Sequence, residues 1–342
     1  MSRNLVSYVE GALESLSKGI SLSEKDSFLV LSEIFCGKTS HENVLSLLRL
    51  INQTGITHDE VVGFALAMRK GMSAIDIGEN AVDTCGTGGS GLERFNISTA
   101  SAFVVSACGI PVAKHGNHGS SKPNGSFDFL KSLGVNFELS PQNVKRIFDE
   151  TKLCFLYARS HHPAVRFVGP ARKEIGERTI FNLLGPLCNP AQAKYQVIGT
   201  TSEQQALLLA RSLQKLGTKR SLVVCGGDGV DEFSIGNPSE YYDVSKNAID
   251  KKIWDPSVLN LCLESNLEIG DGATNAASFK ILLNDKGDDK IIHLISINAG
   301  AAIYCTGNAN SIEDGYNMAI QCFQSGLVQK QVERFISLSN SL

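Results

Sequence analysis

Apolar positions recur at helical spacing along the first quarter of the chain. Val6, Val9, Leu13 and Leu16 form one stripe, and Phe28, Leu29, Leu31, Ile34 and Phe35 form a second. Ser21 to Glu24 reads as a capping box opening that second stripe. Ser40 precedes a third run, Val44, Leu45, Leu47, Leu48 and Ile51. Thr57 to Glu60 is another capping box, before Val61, Val62, Phe64, Ala65 and Met68. The pattern predicts four short amphipathic helices and a helical domain over residues 1–76. From about residue 80 the texture changes. Short β-leaning runs appear at Ala81–Thr84, Val112–Lys114, Phe155–Tyr157, Tyr195–Ile198, Leu222–Val224 and Ile292–Ser296. Helical stretches such as Ala100–Cys108, Gly125–Leu133, Asn143–Glu150 and Gln204–Leu216 lie between them. Alternating strand and helix predicts an α/β fold over residues 77–342, a mostly parallel central sheet covered by helices.

Composition changes this picture in three ways. The 342 residues suit one large domain or two unequal ones and can bury a core without disulfides. Lys and Arg number 32 against 35 Asp and Glu, a net charge of −3, so no global basic surface exists for nucleic acid. The start, MSRNLVSYVE, lacks the apolar core of a secretory signal, and no run nears the ~18 apolar residues of a membrane span. A cytoplasmic protein with no membrane partner is expected. The nine cysteines are widely spaced with no C-x-x-C, against a disulfide framework or a thiolate zinc site. Cys85, in a glycine-rich loop, is the foremost candidate for a reactive thiol, though a small buried hydrophobe is the commoner role.

The glycines are unevenly spread: 8 of the 43 residues from Asp83 to Gly125. DTCGTGGSG, Asp83–Gly91, ends the first predicted strand, and a helix pattern opens near Ser98. Strand, glycine loop and helix N-terminus together form an anion-binding arrangement, in which backbone N–H groups reach phosphate oxygens. The spacing matches neither a P-loop nor a dinucleotide fingerprint. Asn96, Ser98 and Thr99 can cap that helix, donate to phosphate or ligate a cation. A second strand runs into KHGNHGSSKPNGSFD, Lys114–Asp128, a polar loop at a strand end, where ligands sit in open α/β sheets. A third segment, His161–Ala191, carries Arg166, Arg172 and Arg178. These can fork to a carboxylate or pair with Glu174 and Glu177 on a helix surface. A fourth, GGDGVDEF, Gly226–Phe233, offers Asp228, Asp231 and Glu232, which suit Mg²⁺ or an acidic turn. The four segments together point to a phosphorylated substrate, Mg²⁺ and an acidic or aromatic co-substrate.

GTGGSG with NIST, then KHGN, then ARKEIGERTIFNLLGPLCNPA, then DGVDE, closely resemble the anthranilate phosphoribosyltransferase family, over essentially the whole chain. The resemblance implies a small helical domain, joined by helices from about residues 170–190, and a large α/β domain with the active site in a hinge cleft. It also implies a homodimer. The implied reaction joins anthranilate to 5-phosphoribosyl 1-diphosphate in tryptophan biosynthesis, releasing diphosphate. By similarity, the loop residues Gly86, Thr87, Gly88, Gly89 and Ser90, with Asn96, Ile97, Ser98, Thr99, Lys114, Gly116 and Ser126, would hold the phosphoribosyl donor. Ser98, Asp231 and Glu232 would serve Mg²⁺. Asn117 and Arg172 would hold anthranilate, with His115 shaping its pocket. No acid or base is assigned: Lys114, His115, Asn117 and Arg172 would act by positioning. The chain departs from the family pattern at Ser90 (usually Asp), Arg94 (Thr), His118 (Arg) and Lys122 (the second Ser of a pair), and Lys122 or Arg94 is expected to take over phosphate contacts. Two alternatives compete: a pyrimidine nucleoside phosphorylase, and a non-catalytic nucleic-acid-binding relative on the same scaffold.

Overall fold

A computed structural model describes residues 7–78, 80–88, 94–119, 122–261, 270–284 and 287–342. The chain divides into two compact units, residues 1–73 with 159–190, and residues 74–158 with 191–342.

In chain order the first unit begins with α1 (Tyr8–Ser17), α2 (Glu24–Phe35), α3 (His41–Thr54) and α4 (His58–Lys70). Ser40 and Thr57 cap α3 and α4, and Thr57 and Glu60 form a reciprocal capping box. Glu60 is buried outright, and its second carboxylate oxygen accepts the N–H of Leu22 at 3.1 Å, so the box also ties down the start of α2. The cap of α2 is Ser23, not the expected Ser21. Ser23 accepts the N–H of Asp26 at 3.1 Å and donates to its carboxylate at 2.6 Å, leaving the buried Leu22 just outside the helix.

The second unit is built on β1 (Val82–Gly86), α5 (Ile97–Ala107), β2 (Val112–Gly116), α6 (Ser126–Leu133), α7 (Pro141–Thr151) and β3 (Leu153–Tyr157). The turn α8 (Ala158–His161) leads into the returning part of the first unit, with α9 (Gly169–Ile175) and α10 (Phe181–Leu187). Then follow β4 (Tyr195–Gly199), α11 (Glu203–Lys215), β5 (Arg220–Gly226), β6 (Ser239–Ser245) and β7 (Ile249–Trp254). Helices α12 (Gly272–Leu282), α13 (Asp289–Cys305), α14 (Ile312–Gln324) and α15 (Leu327–Asn340) close the chain.

The strands form one sheet in the order β3-β2-β1-β4-β5-β6-β7. The first five strands are parallel, and β6 and β7 are antiparallel. Side chains alternate between two cores. Val112, Leu153, Phe155, Val197, Leu222 and Val224 join the large cluster built with α5, α6 and α12–α15. Ala113, Cys154 and Leu156 face Val144 and Phe148 of α7 on the other side. Burial on both faces is what a parallel sheet requires.

One expected strand is not a strand, and two strands were not expected. Ile292–Ser296, expected as a strand, lies inside the seventeen-residue α13. That helix is buried almost all round, so its β-branched residues carry no polar stripe to reveal the helical period. The hairpin β6–β7 was not anticipated. Its edge strand β7 exposes the adjacent Asp250 and Lys251 and also Ile253, so it lacks the period-two alternation that reveals a strand, and its charges suit a protected sheet edge.

Candidate active site

β1 lies between β2 and β4, so the chain winds away from this pair in opposite directions. The carboxyl ends of strands at such a switch point are where ligands lie in open α/β sheets. Both strands end in glycine, Gly86 and Gly199, in register with one another. A Cβ on Gly199 would stand 1.6 Å from the Asp231 carbonyl oxygen, and one on Gly86 would stand 2.9 Å from Asp231 Oδ2. The paired glycines therefore let the acidic turn after β5 sit directly on the switch point. Gly86 and Asp231, singled out in separate motifs, are brought together there.

Within the acidic turn the carboxylates divide their roles. Asp228 accepts the Ser234 hydroxyl at 2.9 Å and helps shape the turn. Glu232 faces Arg94, whose Nη1 is 3.3 Å from Glu232 Oε1, and both side chains are about nine-tenths withdrawn from solvent. Burial, and then the charge of Asp231, push the Glu232 carboxyl up to about 8, against the opposing pull of Arg94. Ser98, Asp231 and Glu232 are all hard oxygen donors. Among the described residues no three His, Cys, Asp or Glu side chains gather closely enough to hold a metal by themselves. A carboxylate beside the glycine cradle fits an ion such as Mg²⁺, which completes its shell with water and phosphate.

The N-terminus of α5 lies against β1. No side chain caps it: Asn96, at the cap position, instead donates to the Asn124 carbonyl at 3.0 Å and accepts from Asn275 at 3.0 Å. Thr84 donates to the Ser98 carbonyl at 2.8 Å, stitching β1 to the first turn of the helix. The hydroxyls of Thr87 and Thr99 are buried with no hydrogen-bond partner among the described residues. Ile97 is packed in the core, and Gly88 takes a left-handed φ of +65°. Gly89 and Ser90 lie outside the described residues. Two buried, unpartnered hydroxyls beside an uncapped helix N-terminus are what an oxyanion would satisfy.

Lys114 and His115 belong to β2 itself, and both are buried. The Lys114 ammonium donates to the Thr84 carbonyl across the sheet. Burial lowers its pKa, and Asp83 opposes that fall. His115 donates its backbone N–H to the buried Asp83 carboxylate at 3.1 Å. The loop that follows is organised by Asp128 on the first turn of α6. Asp128 Oδ2 accepts the N–H groups of Gly119 and Gly125, each at 2.8 Å, and Oδ1 lies 2.7 Å from His118 Nδ1. Burial raises the Asp128 carboxyl, but these donors together outweigh it and leave it below the usual range. A Cβ on Gly119 would stand 1.8 Å from the Lys122 carbonyl, and one on Gly125 2.2 Å from the Gly119 nitrogen. Gly116 lets Ser126 approach in the same way, with its Oγ 3.0 Å from where a Cβ would stand. Asn117 accepts the His118 N–H on its own side chain at 2.9 Å.

Arg172 belongs to the other unit. It lies on α9, its guanidinium 5.3 Å from the ring centroid of Phe181. Burial lowers its pKa, yet an arginine remains charged. Glu174 pairs instead with His41 at 2.8 Å and with Arg49 at 3.8 Å. The RTIFNLLGPLCNP run proves to be local glue. Phe181 meets Phe64 edge to face, Arg69 donates to the Leu187 carbonyl at 2.7 Å, and His162 Nε2 lies 2.9 Å from the Cys188 carbonyl.

The reactive-thiol reading of Cys85 loses ground. Burial, and then the charge of Asp83, push its thiol well above the ordinary range, where thiolate is scarce. Asn275, in contrast, carried no sequence signal. Buried on α12, its amide reaches the carbonyl of Arg94 (2.8 Å) and the side-chain oxygens of Asn96 and Asn124 (3.0 Å each). It joins the two loops from 181 and 151 positions away. Asp83 and Asp128 were likewise missed. Asp128 alone had a signal, an acid three residues after Gly125 at a predicted helix start.

The sequence and the fold are both shared with known proteins. Residues 78–329 match the family model described as glycosyl transferase family, a/b domain. The chain is 37% identical over 324 residues to the anthranilate phosphoribosyltransferase of Geobacillus thermodenitrificans, covering 94% of this chain and 96% of that protein. It is 39% identical over 333 residues to that of Rubrobacter xylanophilus, 97% of each. The crystal structure of the Thermus thermophilus anthranilate phosphoribosyltransferase superposes with a TM-score of 0.89 at 33% identity, over 96% of this chain and 99% of that one. The same fold recurs in the Saccharomyces cerevisiae enzyme, solved in complex with PRPP and Mg, with a TM-score of 0.85 at 24% identity over 98% and 99% of the two chains.

Proposed function

The chain belongs to the anthranilate phosphoribosyltransferase family, and from that premise we propose how its residues transfer the 5-phosphoribosyl group of 5-phosphoribosyl 1-diphosphate to anthranilate. The anthranilate nitrogen attacks C1 of the ribose. The C1–O bond breaks, and diphosphate leaves with its electrons. The amine then gives up a proton to solvent. The nucleophile is competent at neutral pH, so positioning and charge compensation supply most of the acceleration.

The observation that supports this reading best is the uncapped N-terminus of α5 with the buried, unpartnered hydroxyls of Thr87 and Thr99 beside the glycine end of β1. These groups, with Gly86, Thr87, Gly88, Gly89, Ser90, Asn96, Ile97, Ser98 and Thr99 at large, and Gly116 and Ser126 at the second strand end, form the donor site. Lys114 acts from beneath it, holding the ends of β1 and β2 in place through Thr84. Asp231, with Ser98 and Glu232, would hold Mg²⁺, which when bound offsets charge on the departing diphosphate. The carboxylate of anthranilate is assigned to Arg172, whose guanidinium remains charged and is steadied by the Phe181 ring. Asn117 and His115 are assigned contacts to anthranilate.

The reading extends to a homodimer in the cytoplasm. Among the described residues no helix is long and apolar enough to cross a membrane, and Tyr8, Ile20 and Leu66 expose apolar surface on the helical unit. Equilibrium sedimentation at micromolar concentration tests the dimer. For the activity, the chain is mixed with the phosphoribosyl donor, Mg²⁺ and anthranilate, and anthranilate fluorescence is followed. A decay that requires all components is expected; a folded protein giving none overturns the reading.

A further inference from the structure

We propose that Asn275 is a positioning residue of the donor site: it holds Asn96 so that an amide N–H, and not the amide oxygen, is left to serve the start of α5. The proposal rests on the reading that Asn96 and the first turn of α5 bind the donor's phosphates. Asparagine at a helix N-cap ordinarily turns its side-chain oxygen onto the N–H groups of the first turn. Asn96 does not. Its backbone stands at φ −77° and ψ 61°, away from the extended conformation of such a cap, and its side chain makes no capping bond. Its oxygen instead accepts from the Asn275 amide nitrogen at 3.0 Å.

Backbone carbonyls, which only accept, fix the way each amide of this group is turned. Asn275 Nδ2 lies 2.8 Å from the Arg94 carbonyl oxygen, so its nitrogen is directed at the two loops. Asn124 donates to the same carbonyl at 2.8 Å and turns its own oxygen to Asn275 Nδ2 at 3.0 Å. Asn96 donates one Nδ2 hydrogen to the Asn124 carbonyl at 3.0 Å, and the other has no acceptor among the described residues. Asn275 is fully buried and Asn96 is half-buried, so the residue that orients is anchored in the core and the residue oriented is within reach of a ligand. A released Asn96 oxygen would turn to the N–H groups of the first helical turn and compete there with phosphate. Asn275 thus keeps the helix end open to an anion and adds one oriented donor to it.

The test measures binding of inorganic diphosphate with Mg²⁺ by isothermal titration calorimetry, on the full chain and without anthranilate. Asn275→Ala is expected to weaken diphosphate binding about tenfold and to raise the KM for the phosphoribosyl donor by a similar factor, with kcat changed less than about threefold. Asn96→Ala combined with Asn275→Ala is expected to bind like Asn96→Ala alone, because a residue that acts through Asn96 then has nothing left to orient. Thermal melting followed by circular dichroism shows that each variant is folded. Where Asn275→Ala is not, Asn275→Ser, one bond short of the Asn96 oxygen, takes its place. Native affinity in the Asn275 variant overturns the proposal. So do losses that multiply in the double variant, since Asn275 would then act by another route, such as the Arg94 carbonyl. A native chain that binds no diphosphate removes the donor site and the proposal with it, whereas diphosphate binding without turnover of anthranilate removes only the activity reading.

Discussion

At the scale of single residues, the site rests on charges whose partners are fixed by the backbone. Asp128 illustrates the arrangement, with two N–H donors and one histidine on a single carboxylate. Asp128→Ala removes three bonds to a charged acceptor, each worth about 1.5–3 kcal/mol when buried and less at this partly exposed site. The expected outcome is a loss of about 2–4 kcal/mol in urea unfolding, with a KM for the donor raised more than kcat is lowered. An unchanged KM would mean that the loop from Asn117 to Gly125 does not touch the donor. Arg172→Ala should act on the other substrate. Its loss should raise the KM for anthranilate by tenfold or more, and Arg172→Lys should restore only part, because an ammonium lacks the planar fork. Lys122→Ala tests the remaining candidate for phosphate contact. An unchanged KM for the donor would remove Lys122 from that role.

At the scale of elements, the meeting of strand ends depends on the absence of side chains. Gly199→Ala would place a methyl 1.6 Å from the Asp231 carbonyl, which no rotamer can relieve. The turn after β5 must then move, and donor and metal binding should fall together while the melting temperature drops by only a few degrees. Equal loss of metal binding in Gly88→Ala, whose glycine meets nothing within 4 Å but has φ +65°, would point instead to the loop after β1. The same elements show what a sequence can disclose. The pattern of apolar residues located α1–α4 and all five parallel strands of the sheet, because amphipathic helices and buried strands write their environment into neighbouring positions. Glycine density pointed to the loops after β1 and β2, because close approach of backbone admits no other residue. Nothing local marked Asn275, whose amide nitrogen meets the oxygens of Arg94, Asn96 and Asn124 only in the folded chain. Nor did spacing show that the run around Leu183 and Pro186 binds α10 to α4, or that Arg94 would face Glu232, since both depend on residues more than a hundred positions apart.

At the scale of the whole molecule, the buried ionisable groups set how stability responds to acid. His162 is held in the first unit with its Nε2 against the Cys188 carbonyl, and burial lowers its pKa to about 4. His161 is shifted downward for the same reason. A histidine freer to take a proton when unfolded favours the unfolded chain as pH falls from about 6.5 toward 4. Stability supplied by a neutral His162 is thus full above that window and is lost on descending through it. For His162 alone the loss between pH 7 and pH 5 is about 2 kcal/mol. Asp128 and Asp243 lie in the second unit, and both are held below the usual carboxylate range. In each case burial pulls upward and is outweighed, in Asp243 by hydrogen bonds from Arg220 and Lys252. Their contributions persist above about pH 4 and fade only below it. Mild acid should therefore weaken the helical unit before these carboxylates of the α/β unit give way. His162→Gln keeps an N–H donor and removes the proton site. It is expected to shrink the difference in unfolding free energy between pH 7 and pH 5 by about 2 kcal/mol, measured by urea titration at each pH. A difference that stays at the native value would place the acid sensitivity elsewhere, with His161 or the partly buried His293 of α13 next to be substituted.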